Sequence, residues 1–237
     1  MERPLERRAS VRTAVVWEAC RAHLDSRADQ TVVDIGGGTG GLAVRVAGLG
    51  HRVTVIDPSP DALAALARRA SEHGVADRVI AQQGELASLP DLVDAGSVDL
   101  VLCHEVLGLV DDPAAALATV ARVLRPGGVL SLVVSQRHAA VLARAMAGHF
   151  AQARAVLEAD VGGERRFVAD EISDLLAASG FTLTEMHAVR VFTDVVPSSL
   201  LDLEPGAVES MLELERAVAR RPEYRTLASQ LHTLATR

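Results

Sequence analysis

Lysine is missing from this chain of 237 residues; all 24 residues counted as Lys+Arg are arginine. Without an ammonium side chain there is no Schiff-base catalysis, no pyridoxal-phosphate anchor and no P-loop lysine. Cysteine is scarce. Cys20 and Cys103 form neither a disulfide framework nor a metal-ligand pattern, so no metal is expected. Long apolar runs are lacking too. Stretches such as Val129 to Val134 are far too short to cross a bilayer, so no membrane partner is expected. The start, Met1-Glu-Arg-Pro-Leu-Glu-Arg-Arg8, is charged and lacks the apolar core of a signal peptide. No repeat or low-complexity linker is visible. A soluble cytoplasmic protein is expected, as a monomer. The net charge of −7 argues against indiscriminate nucleic-acid binding but leaves room for a local basic face.

What is present is a core-forming composition, 49% hydrophobic, in alternating strand and helix patterns. A helix is expected over Val11 to His23. Short β-type runs follow at Thr31 to Ile35, Arg52 to Ile56, Arg78 to Gln82, Val98 to Cys103 and Val129 to Val134. Between them lie helical stretches from Gly41 to Gly48, from Asp57-Pro-Ser-Pro-Asp61 to about His73, and from Asp111-Asp-Pro113 to Arg125-Pro-Gly-Gly128. This alternation implies a doubly wound α/β fold with a mostly parallel sheet covered on both faces. After Ser135 the pattern changes. His138 to Asp160 is mostly helical with a possible break at Gly148, Gly162 to Arg166 is loop-like, and Ala169 to Ser179 is helical. Phe181 to Val191 is strand-like, Gly206 to Arg220 helical, and Leu231 to Thr236 a candidate last strand. One domain is expected over 1–237, with an N-terminal helical segment over 1–29 and a helical insertion, or lid, over 136–168 at the sheet's ligand-binding edge.

The densest signal is Thr31-Val-Val-Asp-Ile-Gly-Gly-Gly-Thr-Gly-Gly41, a strand ending in an acid and a glycine cluster. Gly36, Gly38 and Gly41 satisfy G-x-G-x-x-G, which taken alone also fits a tight turn. Asp34 shifts the balance. A carboxylate beside that loop would repel a dinucleotide pyrophosphate but suits a cationic ligand such as S-adenosylmethionine, with its ammonium and sulfonium. Asp57, ending the next strand, stands where a ribose-binding acid belongs, followed by Pro58. Its alternative role as a helix cap is open to Ser59 and Asp61 instead. Glu85 and Leu86 are positioned to hydrogen-bond and pack on adenine, although Glu85 is equally an ordinary loop acid.

In this order, Asp34-Ile-Gly-Gly-Gly-Thr-Gly40, Val53-Thr-Val-Ile-Asp57 and Leu124-Arg-Pro-Gly-Gly128 resemble the motifs of class I S-adenosylmethionine-dependent methyltransferases, implying a seven-stranded sheet. Over almost the whole chain the sequence is similar to the bacterial tRNA 5-carboxymethoxyuridine methyltransferase family. The likeness rests on Val98-Asp-Leu-Val-Leu-Cys-His-Glu-Val-Leu107, Met146-Ala-Gly-His-Phe150, Val189-Arg-Val-Phe192 and Leu212-Glu-Leu-Glu215. This resemblance implies a cofactor-binding Arg12, whose fork would suit the methionine carboxylate; a solvated helix arginine is the plain alternative. Gly36, Gly37, Asp57, the Glu85-Leu86 pair and His104 carry over as cofactor contacts, and a tRNA becomes the expected partner.

For the acceptor, His104 after strand four is the candidate catalytic residue, as a contact or a general base; a core histidine is the alternative. Arg137, His138 and Arg190 are candidates for binding an anionic acceptor, with surface ion pairs as the alternative. A carboxylate acceptor would need no base. A small metabolite acceptor, an NAD-dependent oxidoreductase and a non-catalytic S-adenosylmethionine-binding regulator are the competing readings.

Overall fold

A computed structural model describes residues 4–158, 165–201 and 206–237, with the side chains of 4–11 and of Ser198 outside the description. The elements in order are α1 (Pro4–Leu24), β1 (Thr31–Ile35), α2 (Gly41–Gly48), β2 (Arg52–Asp57), α3 (Pro60–Glu72), β3 (Val79–Gln83), α4 (Leu89–Leu92) and β4 (Val98–His104). Then come α5 (Pro113–Val123), β5 (Leu124–Ser135), α6 (Arg137–Met146), α7 (Phe150–Glu158), α8 (Ala169–Ala178), β6 (Thr182–Val189), α9 (Ser198–Leu201), α10 (Ala207–Ala219) and β7 (Gln230–Thr236).

The seven strands form one sheet in the order β3-β2-β1-β4-β5-β7-β6. β1 pairs in parallel with both β2 and β4, and the β2–β3 and β4–β5 pairs are parallel as well. β7 runs the other way. The Arg237 N–H donates to the Gly128 carbonyl while the Gln136 N–H donates to that of Ser229, so residue numbers fall along β7 as they rise along β5. The Ser229 N–H meets the Arg190 carbonyl and the Thr184 hydroxyl meets that of Leu234, which sets β6 antiparallel to β7. The sheet is the doubly wound, mostly parallel one that the sequence implied. Strand order reverses between β1 and β4, and at such a point the carboxyl ends of parallel strands open a crevice for ligands.

Packing divides the chain into two units. One comprises 21–133, 173–185 and 233–237; the other comprises 1–20, 134–172 and 186–232. The core of the first is built on both faces of the central strands, from Val32, Ile35, Val55, Ile56, Leu100 and Leu102, with Leu66, Leu117 and Val120 from the covering helices. Each such buried side chain contributes about 1.5–3 kcal/mol. Helix starts follow local chemistry. The Ser59 hydroxyl accepts from the Ala62 N–H at 3.2 Å, and Asp112 accepts from the N–H groups of Ala114 and Ala115 at 3.0 Å. In the second unit Ala188, Val191, Val218 and Ala228 form a cluster, with Phe192 and Tyr224 packed edge-on at 6.2 Å.

Two boundaries differ from expectation. The first helix begins at Pro4 rather than Val11. Arg125-Pro-Gly-Gly128 lies inside β5 rather than in a turn before it, because the Gly127 N–H donates to the Arg237 carbonyl and the Gly128 carbonyl accepts in return. The helical stretch after Ser135 is two helices separated at Gly148, whose φ is +78°. The loop expected at Gly162 to Arg166 lies outside the described residues as far as 164.

Candidate active site

The site begins where β1 turns into α2. The Gly36 N–H donates to the Ile56 carbonyl at 2.8 Å, tying the turn to the end of β2. Gly36, Gly38 and Gly40 have φ values of +69°, +56° and +75°, a region that favours glycine. Side chains are also excluded by space. A Cβ on Gly36 would lie 2.6 Å from Val106, one on Gly37 2.5 Å from the Asp34 carboxyl, and one on Gly40 would collide with Leu66. At Gly38 the nearest atoms, the Asp57 Oδ2 and the Gly36 carbonyl, are 4.0 Å away. The loop is therefore a backbone cradle with an open side facing Asp57.

Two carboxyl groups sit at this cradle. Asp57 accepts from the Gly38 N–H through Oδ2 and from the Ser59 N–H through Oδ1, both at 2.9 Å. Each oxygen keeps a lone pair for a further donor, and the cap of α3 is supplied by Ser59. Asp34 is 4% exposed, and its carboxyl makes no hydrogen bond among the described residues. Burial, and then the charge of Asp57, push it up to about 7. A buried acid lacking a partner, beside one with free lone pairs, fits a ligand that brings positive charge and hydroxyl donors. It does not fit a pyrophosphate.

Around this pair, the Pro58 carbonyl accepts from the Gln83 side chain at 3.3 Å. Leu86 is buried at the start of a short 3-10 turn, Leu86–Ser88. The Glu85 side chain accepts from the Ser88 N–H, and the Ser88 hydroxyl accepts from the Glu85 N–H at 3.0 Å, so Glu85 caps that turn. His104 ends β4, followed by Glu105 at φ +60°. Its Nε2 lies 2.8 Å from the Ser131 hydroxyl of β5. The register pairs Leu102 with Ser131 and His104 with Val133, which puts the serine and the imidazole on one face. Burial pushes the imidazole down to about 4, so it is neutral at pH 7. Ser131 escaped the sequence reading because only strand register joins it to His104. The neighbouring Cys103 thiol is pushed up to about 12 by burial first, so it stays protonated.

The remaining candidates lie in the second unit. Arg137 spends its fork on Glu171, at 2.8 and 3.1 Å, and on the Arg166 carbonyl at 2.8 Å, tying the start of α6 to that of α8. His138 Nδ1 lies 3.5 Å from the Gln136 side chain. Arg12 and Arg190 converge on one acid: Asp194 Oδ1 receives Arg12 Nη2 at 3.3 Å and Arg190 Nη2 at 2.8 Å. The turn that carries Arg190 and Asp194 is held by Glu215 of α10. That buried carboxylate accepts from the N–H groups of Val191, Phe192 and Thr193 at 2.9–3.1 Å and from the Thr193 hydroxyl at 2.7 Å. Asp194 was not singled out from the sequence, and Glu215 appeared only within the Leu212-Glu-Leu-Glu215 stretch with no role, since its partners lie 22–24 residues away.

With the geometry established, comparison with known proteins adds four likenesses. Residues 33–132 match the family model described as a methyltransferase domain. Over 236 residues the chain is 30% identical to the tRNA 5-carboxymethoxyuridine methyltransferase of Escherichia coli (strain K12), covering 96% of this chain and 88% of that protein. Over 119 residues it is 39% identical to the ubiquinone biosynthesis O-methyltransferase of Xanthomonas oryzae pv. oryzae (strain PXO99A), covering 49% of this chain and 48% of that one. A solved S-adenosylmethionine-dependent methyltransferase from Mesorhizobium loti shares the fold, with a TM-score of 0.61 and 20% identity over 93% of this chain and 97% of that one.

Proposed function

Since the chain belongs to the S-adenosylmethionine-dependent methyltransferases, we propose that it methylates an oxygen acceptor, the carboxylate of a wobble-uridine modification in tRNA. The cofactor supplies, when bound, a methyl group activated on a sulfonium. The chain's residues bind and orient. In this reading the glycine cradle from Gly36 to Gly38 admits the cofactor, Asp57 takes the ribose hydroxyls, and Asp34 faces its positive charge. Arg12 takes the methionine carboxylate, Leu86 packs on adenine beside Glu85, and His104 contacts the cofactor or acceptor as a neutral imidazole. The chain acts as one catalytic domain in this reading.

One observation supports a carboxylate over a hydroxyl or amine. His104, the candidate base, is held down to about 4 by burial. A base that weak removes a proton poorly from an alcohol or amine at neutral pH. A carboxylate is already ionised and asks only to be placed in line with the methyl group. A carboxylate acceptor would have no proton to lose on methylation, so the chain's residues would need only to hold it in place. Arginines serve an anionic acceptor, and Arg190, Arg137 and His138 are the candidates for binding it. The full-length similarity to the Escherichia coli tRNA enzyme supports RNA as the carrier of that carboxylate. A small-molecule acceptor is the second reading, supported by the Xanthomonas O-methyltransferase relative. Among the described residues no helix is long and apolar enough to cross a membrane, and we place the reaction in the cytoplasm.

The test is methyl transfer from labelled S-adenosylmethionine to tRNA carrying 5-carboxymethoxyuridine and to the same tRNA without it. Alkali-labile label on the modified tRNA alone is expected. Label on neither, with activity on free small carboxylates, would replace RNA by a metabolite.

A further inference from the structure

The two arginines that meet at Asp194 carry more donors than that acid satisfies. Arg190 Nη2 lies 2.8 Å from Oδ1 and 2.7 Å from Oδ2 of Asp194, and Arg12 Nη2 is 3.3 Å from the same Oδ1. Two guanidinium groups thus share the Asp194 carboxylate, while Glu215 is occupied by the turn's own N–H groups. Among the described residues, Arg190 Nε is buried with no hydrogen-bond partner. The cluster is accessible, since the Arg12 side chain is 54% exposed and that of Asp194 21%.

The turn is also built rather than incidental. Arg190 has a φ of +60°, which a side chain of its size rarely adopts. Three successive N–H groups beyond it close on the buried Glu215 carboxylate, and Val191 and Phe192 anchor the turn in the apolar cluster. Strain of this kind persists where surrounding structure enforces it. Here it presents a guanidinium and a carboxylate side by side at the surface.

We infer that Arg12 and Arg190 form a carboxylate-receiving subsite in which Asp194 is a resident anion that gives way to a ligand carboxylate. The inference rests on the methyltransferase reading, which supplies two such carboxylates: that of the cofactor's amino-acid end and that of the acceptor. Asp194 has the same geometry as the group it stands in for, so it competes with it. Removing the competitor strengthens ligand binding, whereas removing a merely structural ion pair weakens it or does nothing.

Calorimetry on the full chain separates these outcomes. Wild type and Asp194→Asn are titrated with S-adenosylhomocysteine against methylthioadenosine, which lacks the amino-acid end. They are also titrated with 5-carboxymethoxyuridine against its methyl ester. An exposed ion pair contributes up to about 1 kcal/mol, so the variant should bind the carboxylate member of one pair about two- to fivefold tighter. The neutral member should be unchanged, and the pair that responds identifies the source. Arg190→Gln should loosen the same carboxylate ligand, and it serves as the test if thermal melting shows Asp194→Asn to be misfolded. Unchanged or weaker carboxylate binding in Asp194→Asn, or an Arg190→Gln variant that discriminates as wild type does, overturns the inference. Wild type binding no member of either pair overturns the methyltransferase reading itself, and the inference with it.

Discussion

Replacing Asp34 by Asn should stabilise the protein while weakening the site. The carboxyl is 4% exposed, lacks a hydrogen bond among the described residues, and is raised from 3.8 to about 7 by burial and the nearby Asp57. That displacement corresponds to roughly 4 kcal/mol against the ionised form. The folded state therefore holds this proton more tightly than the unfolded chain does. Below about pH 4 both states are protonated and the site costs nothing. From pH 4 to pH 7 the unfolded state gains by ionising, and the folded protein loses stability at about 1.4 kcal/mol per pH unit. Above pH 7 the loss is complete. Asn has no such proton, so the variant's advantage over wild type should grow by about 2–3 kcal/mol between pH 5 and pH 8 and then level off. Urea unfolding of both proteins without cofactor measures that difference and cancels the other titrating groups. In parallel, S-adenosylmethionine should bind the variant about tenfold or more weakly, because the amide leaves the ligand's positive charge unopposed. A stability difference that stays constant or shrinks with pH would refute the reasoning.

Gly40→Ala should cost about 2–3 kcal/mol in urea unfolding, since the residue has φ +75° and its Cβ would collide with Leu66. His104→Gln should leave the pH profile of methyl transfer unchanged between about pH 6 and pH 7, because His104 is displaced to about 4 whereas Asp34 is raised to about 7; an inflection near 6.5 that disappears in His104→Gln would contradict this. That lowered imidazole also sets a sign on stability, which its contribution makes fall as pH drops from about 6.5 towards 4. Glu215→Ala leaves the buried Val191 N–H without its acceptor along with those of Phe192 and Thr193, and should lower stability by about 3 kcal/mol or more in denaturant titration.

The cofactor half of the fold was legible because its signals are local. A short β-branched run, an acid and a glycine turn recur within a few residues, and β1 and α2 fall at the expected positions. Asp112 and Ser59 cap helices as their neighbours Pro113 and Pro60 suggest. What the sequence withheld depends on distant partners. Arg125 to Gly128 reads as a turn until Arg237 returns to pair with it. Ser131 is one more polar residue in a strand until register places it on His104. Glu85 has a local partner, yet a loop acid three residues before a serine does not announce a cap on so short a turn. Arg12 and Arg190 suggested two separate ligands, and only the folded chain shows them sharing Asp194.

The clasp of Asp57 and the glycine loop is the centre of this account, and ligand calorimetry on wild type and Asp57→Ala addresses it most directly. Wild type should bind S-adenosylhomocysteine and leave NAD unbound. The variant should lose at least about tenfold in affinity, because two ribose hydroxyls lose a charged acceptor worth about 1.5–3 kcal/mol. Equal affinity in the two proteins, or a wild type that prefers NAD, would contradict it.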